Sequence, residues 1–144
     1  MAEFNLKGSY ILVINLSENT YINIGALGNL FFKKGFYFYI GSAMGEKGSS
    51  TIINRVKRHL KPASDKKTHW HIDYFLEDEN SVIIRMYLIP SVLKLECKIA
   101  QEIFNGSDGY IKNFGSSDCN CLSHLLYFEH FKSLKEIYKK DLSL

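Results

Sequence analysis

The chain has 144 residues, 46% hydrophobic and 23% charged, with 18 Lys and Arg against 15 Asp and Glu for a formal net charge of +3. That length accommodates one core-forming domain and excludes two independent catalytic domains, and the apolar fraction excludes a mainly disordered chain. No apolar run is long enough to cross a bilayer, the N-terminus with Glu3 lacks a signal-peptide pattern, and three cysteines are too few for a disulfide framework. The expectation is a cytoplasmic protein with no membrane partner, its thiols free or on a metal.

In chain order, residues 10–16 and 21–25 are β-rich runs separated by Ser17-Glu18-Asn19-Thr20, which predicts a hairpin. Residues 36–41 alternate Phe36, Phe38 and Ile40 against Tyr37, Tyr39 and Gly41, a strand with one hydroxyl-bearing face. The glycine-containing stretch 41–48 breaks that strand, and a helical pattern runs from about Ser50 to Leu60, stopped by Pro62. Its stripe of Ile52, Ile53, Val56 and Leu60 faces the core, while Asn54, Lys57, Arg58 and Lys61 face water. Thr68 is placed to cap a second helix reaching about Glu77. Residues 81–89 read as a strand, and Pro90-Ser91 opens a helix to about Phe104. Beyond the loop 105–109, residues 110–114 and 122–128 read as strands and 131–140 as a surface helix. This order predicts an α/β domain of the layered α+β kind, a small and mainly antiparallel sheet flanked by helices.

Charge is unevenly spread. Arg55, Lys57, Arg58, Lys61, Lys66 and Lys67 are opposed between positions 55 and 67 only by Asp65, while Glu77, Asp78 and Glu79 cluster just beyond. Such a segment serves either as a solvated helix face or as a contact for nucleic-acid phosphates. On that helix Arg55 and His59 are four apart and share one border of the apolar stripe. In the predicted helix 90–104, Glu96 falls inside the stripe of Val92, Leu93, Ile99, Ala100 and Ile103. A carboxylate so placed costs several kcal/mol unless a partner meets it, either an ion pair and hydrogen bonds or a hard divalent ion such as Mg²⁺. Cys119-x-Cys121-x-x-His124, completed by His69 or His71, has the residue types of a zinc clip; buried thiols acting as small apolar groups are the other reading. His69 and Asp73 are spaced as a hydrogen-bonded helical pair, and His69 also follows the basic segment closely enough to contact a phosphate.

Tyr39-Ile40-Gly41-Ser42-Ala43, followed by Arg55-Val56-Lys57-Arg58-His59, closely resembles the second half of the GIY-YIG nuclease signature, and Gly8-Ser9-Tyr10 resembles the first half. His69-Trp70-His71-Ile72-Asp73 and the stretch from Phe114 to His124 with Gly115-Ser116-Ser117-Asp118-Cys119 resemble additional signatures of a GIY-YIG subfamily found alone or joined to a DNA glycosylase. The resemblance implies one GIY-YIG-like domain over residues 1–144, with 105–144 as a subfamily-specific extension. It implies a DNA endonuclease that hydrolyses phosphodiesters with Mg²⁺ or Mn²⁺ and works in repair or processing, with DNA and a glycosylase-like repair enzyme as partners. Tyr10 and Tyr39 would face the cleft, Arg55 and His59 would act from the first helix, and Glu96 would hold the metal. A Tyr10 and His59 relay is the favoured route for the proton, because a phenol of pKa near ~10 is a poor base by itself and an imidazole near ~6.5 is not. Lys57, Arg58, Lys61 and His69 would contact DNA. Tyr10 and Tyr39 are farther apart than is usual in the family, which implies an insertion over residues 21–35, and Asn105 or Asn113 would stand for an assisting asparagine. A module that binds nucleic acid or protein without cutting is the alternative.

Overall fold

The computed structural model describes residues 6–45, 48–62, 68, 70–116 and 121–138. The elements are β1 (Gly8–Leu16), β2 (Thr20–Asn23), β3 (Asn29–Phe32), β4 (Gly35–Ala43), α1 (Ile52–Leu60), α2 (His71–Glu77), β5 (Ser81–Pro90), α3 (Glu96–Gly106), β6 (Gly109–Tyr110), β7 (Leu125–Phe128) and α4 (Leu134–Ile137). Every residue of β1 except Asn15 is buried, so the strand needs cover on both faces and both edges. It lies inside a five-stranded sheet of order β5-β1-β4-β7-β6, with all neighbours antiparallel.

Side-chain alternation along β1 and β4 divides the core in two. Tyr10, Leu12, Ile14, Tyr37 and Tyr39 pack with Ile52 and Val56 of α1 and Ile72 and Phe75 of α2. Ile11, Val13, Phe38 and Ile40 pack on the opposite face with Ile99, Ala100 and Ile103 of α3, with Leu134 and Ile137 of α4 at the margin. The sheet is thus sandwiched between α1 and α2 on one side and α3 and α4 on the other, the layered α+β class expected. Phe32, Tyr37 and Phe75 meet edge to face at 5.1–5.9 Å, and each such ring contributes about 1.5–3 kcal/mol by leaving water. The tyrosine-bearing face of β4 is therefore core, and the Tyr37 hydroxyl donates to Lys33 O at 2.6 Å.

Several local expectations are corrected. Residues 10–16 and 21–25 form no hairpin. β1 pairs with β4 from Gly8 opposite Ala43 to Leu16 opposite Gly35, and β2 pairs with β3 in a separate two-stranded sheet. A four-residue β2 with exposed Tyr21 and Asn23 cannot cover the nine residues of β1. The hairpin β2–β3 is what separates Tyr10 from Tyr39. Pro90 ends β5 opposite Gly8 instead of opening a helix, Ser91 N–H donates to Lys7 O at 2.9 Å, and Ser91 Oγ accepts from Leu93 N–H at 3.0 Å. That turn leaves Val92 82% and Leu93 66% exposed, so α3 starts only at Glu96 and the apolar stripe loses its first two members. On α1, Leu60 is 54% exposed and His59 takes the buried place. Thr51 caps α1, accepting from Asn54 N–H at 3.4 Å, and α2 starts at His71, beyond Thr68. The expected strands 110–114 and 122–128 shrink to β6 and β7, since Asn113 and Gly115 take positive φ in a turn between them. The last helix spans only Leu134–Ile137 among the described residues. No helix among the described residues is long and apolar enough to cross a membrane.

Candidate active site

The strand pairing positions the first phenol. Tyr10 sits opposite Gly41, and a Cβ at Gly41 would lie 2.3 Å from the Tyr10 ring. Without a side chain there, the ring lies over β4 and its Oη reaches His59 Nε2 of α1 at 2.7 Å. Tyr39 stands beside this pair, its ring centroid 6.4 Å from Tyr10 and 6.1 Å from His59. Gly115, held at φ +68 by the turn before β7, closes against Tyr39, where a Cβ would come 3.2 Å from Cε1.

The helix supplies the cation. Arg55 is one turn before His59, and its Nη1 donates to Ser42 O of β4 at 2.8 Å. Its guanidinium lies 5.0 Å from the Trp70 ring, so a backbone carbonyl and an aromatic face together orient it. Trp70 also carries Arg58 at 4.4 Å. Tyr10, Tyr39, Arg55 and Glu96 line one cleft of about 100 Å³, together with Ser42, Trp70, Lys94, Gly115 and His124. Wider grooves of about 750 and 440 Å³ surround Phe31, Lys33 and Tyr127 at another part of the sheet, and neither has an arginine among its lining residues.

Glu96 reaches the cleft for a different reason from the periodicity that singled it out. It is the first residue of α3, where the helix N-terminus favours a carboxylate, and its side chain is 13% exposed. Its Oε2 is 3.7 Å from His124 Nδ1. Burial foremost, with Lys94 adding to it, lowers the His124 pKa to about 4. The imidazole is therefore neutral near pH 7, and this approach is a polar contact and not an ion pair. A carboxylate on a small polar cleft suits a hard cation such as Mg²⁺, which takes one or two protein carboxylates and keeps its other positions for water or phosphate oxygens. Burial drives the Tyr10 phenol pKa upward against the opposing pull of Arg55, and does the same to Tyr39. Both are neutral phenols at physiological pH.

The basic residues divide. Lys57 and Lys61 are exposed on the outer side of α1. Arg58, expected to face water, instead donates from Nη1 and Nη2 to Asp73 Oδ1 and Oδ2 at 2.8 and 2.9 Å, and it is 22% exposed against 0% for Asp73. A fully buried carboxylate outcompetes solvent for a fork of donors. Asp73 also accepts Trp70 N–H at 2.8 Å, which starts α2 and holds the indole under both arginines. Asp73 is thus the buried partner of Arg58, a role its four-residue spacing from His69 did not reveal. His69 lies outside the described residues. Asn105, bonded by Gln101 at 3.1 Å, and Asn113 are both exposed and neither lines the cleft.

Cys119 also lies outside the described residues. His71 does not approach the other thiols' cluster: its Nδ1 accepts Gly115 N–H at 2.9 Å. The structure joins Cys97 to Cys121, with Cα atoms 6.0 Å apart, where thiols free or on a metal were expected. Residue 97 is the second residue of α3 and residue 121 precedes β7, and only the packing of α3 beside β7 brings them together. His124 Nε2 is 3.9 Å from Cys97 Sγ.

Residues 9–143 match the family described as domain of unknown function DUF123. The chain belongs to this family. The DUF123 match takes in every residue of the cleft as well as Cys97, Cys121 and His124, so one family pattern spans both groups of side chains. No curated protein and no solved structure matches the chain.

Proposed function

We propose that this DUF123 chain is a GIY-YIG-type endonuclease that hydrolyses DNA phosphodiester bonds in a metal-dependent reaction. The observation that carries the reading is the 2.7 Å contact of Tyr10 Oη with the buried His59 Nε2, Tyr10 itself lining one cleft with Tyr39, Arg55 and Glu96. Phosphodiester hydrolysis needs a deprotonated water, charge neutralisation on the phosphoryl oxygens and a fixed line of attack.

Arg55 supplies the phosphate grip. Its guanidinium, oriented by Ser42 O and Trp70, offers donors in the planar geometry that matches two phosphate oxygens. Mg²⁺ or Mn²⁺ held by Glu96 would add charge at a phosphoryl oxygen and at the leaving alkoxide. The proton moves through the Tyr10–His59 pair. A discrete tyrosinate is too costly with the phenol buried, so Tyr10 Oη accepts the water proton as its own proton passes to His59 Nε2. Oxygen of the water then bonds to phosphorus as the P–O bond to the leaving strand breaks. Tyr39 orients the water or the scissile phosphate from the adjacent strand. Lys57 and Lys61 track the DNA backbone outside the cleft. The setting we propose is DNA repair or processing beside a glycosylase-like enzyme, on the strength of the segments 69–73 and 114–124.

The test is cleavage of duplex, flapped and branched DNA by the purified chain with Mg²⁺ or Mn²⁺. Arg55→Ala and Glu96→Gln, each folded by circular dichroism, are expected to lose the activity. Cleavage unchanged in both variants would overturn the nuclease reading, and DNA binding without cleavage by the wild type would favour a non-catalytic module.

A further inference from the structure

The cleavage chemistry leaves Cys97, Cys121 and His124 without a part. We infer that in the reduced protein Cys97 Sγ, Cys121 Sγ and His124 Nε2 form a binding site for a thiophilic divalent cation, Zn²⁺ by the chemistry of its donors. None of the three is given a part in the proposed phosphate or proton chemistry, although His124 lines the same cleft and faces Glu96.

The ligand atoms all lie within 4.8 Å of one another. Around a tetrahedral zinc, with bonds of about 2.3 Å to sulfur and about 2.0 Å to nitrogen, donors sit roughly 3.5–3.8 Å apart, so the cluster needs only small side-chain shifts to close on an ion. Two thiolates and an imidazole are a zinc-type set, and three protein donors leave one position for water or a further ligand. Beside the Cys97–Cys121 disulfide stands a third donor, His124, whose Nε2 lies 3.9 Å from Cys97 Sγ. The other ring nitrogen, Nδ1, faces the Glu96 carboxylate at 3.7 Å. That order of carboxylate, imidazole and metal is how ligating histidines are oriented. A thiol reductant supplies the two electrons and two protons that turn the disulfide into thiols, and the incoming cation displaces the thiol protons. Bound, the ion would tie the segment ahead of β7 to the first turn of α3, one residue from Glu96.

The experiment uses the full chain reduced with a phosphine and titrated with Co²⁺, then with Zn²⁺. The expected result is one equivalent of Co²⁺ per chain with a thiolate-to-cobalt charge-transfer band, displaced by Zn²⁺. Cys97→Ser is expected to weaken binding by more than about 100-fold, beyond the roughly 10–100-fold that loss of a ligand's neighbour causes. If Cys97→Ser does not fold, alkylation of the wild type decides: Zn²⁺ should slow labelling of Cys97 and Cys121 at least tenfold in peptide maps. Folded, reduced wild type that shows no charge-transfer band, undiminished affinity in folded Cys97→Ser, or labelling of both cysteines unaffected by Zn²⁺ would each overturn the site.

Discussion

Tyr10 of β1 and His59 of α1 are joined across the sheet–helix interface by a 2.7 Å hydrogen bond between two buried side chains. The bond exists because Gly41 leaves the phenol a path over β4. Removing the hydroxyl tests it directly. On the proposed nuclease reading, the rate of DNA cleavage in Tyr10→Phe should fall about 10²–10⁴-fold, the range for loss of a proton-transfer group, with stability reduced by only about 1–2 kcal/mol. Single-turnover assays beside thermal melts check this; wild-type rates in a folded Tyr10→Phe protein would remove the relay.

Gly41→Ala probes the same contact from the other strand. A Cβ 2.3 Å from the Tyr10 ring has no room, and Tyr10 is fixed between β4 and α1. We expect a loss of about 1–3 kcal/mol from overpacking, accompanied by loss of cleavage as the phenol moves off His59. Denaturant unfolding measures the first. A Gly41→Ala protein as stable as wild type would show that the ring is free to shift.

Arg58, Lys57 of α1 and Lys61 just past its end should separate structure from binding. Arg58→Ala takes the cation away from the fully buried Asp73 carboxylate, which keeps the Trp70 N–H, and should cost about 3–5 kcal/mol. Lys57→Ala and Lys61→Ala should leave stability within about 0.5 kcal/mol, yet each should lower the salt slope of DNA binding by about 1 where it meets a phosphate. Melts and fluorescence-anisotropy titrations at several salt concentrations distinguish these effects. An Arg58→Ala protein with an unaltered melting temperature would contradict the buried pair.

Alkaline pH should destabilise the fold. Burial raises the phenol pKa values of Tyr10 and Tyr39 above their ordinary 10.0, so both stay neutral in the folded chain while the unfolded chain ionises. An acid raised in this way contributes fully below its unfolded pKa and loses that contribution as pH climbs toward the folded value. The melting temperature should therefore hold up to about pH 9 and fall beyond about pH 10, and less steeply in Tyr10→Phe. Identical alkaline slopes in the two proteins would contradict the raised phenol.

Local order along the chain determined much of this molecule. The unbroken apolar run of β1, the alternation of β4 and the helical stripe of α1 are short-range patterns, legible because a residue's neighbours at two or three to four positions dictate which face it shares. The same logic placed Arg55 and His59 together one turn apart. Tertiary packing decided what those patterns met. Strand β1 chose β4 and β5 over the nearer β2 because only long strands could cover it, and Pro90 joined an edge strand because Gly8 lay opposite. Glu96 reached the cleft as the start of α3 and not as part of a longer stripe. Asp73 took Arg58, and Cys97 met Cys121 and His124, because contacts between residues distant in sequence depend on which surfaces are buried together, and no short-range periodicity encodes that choice.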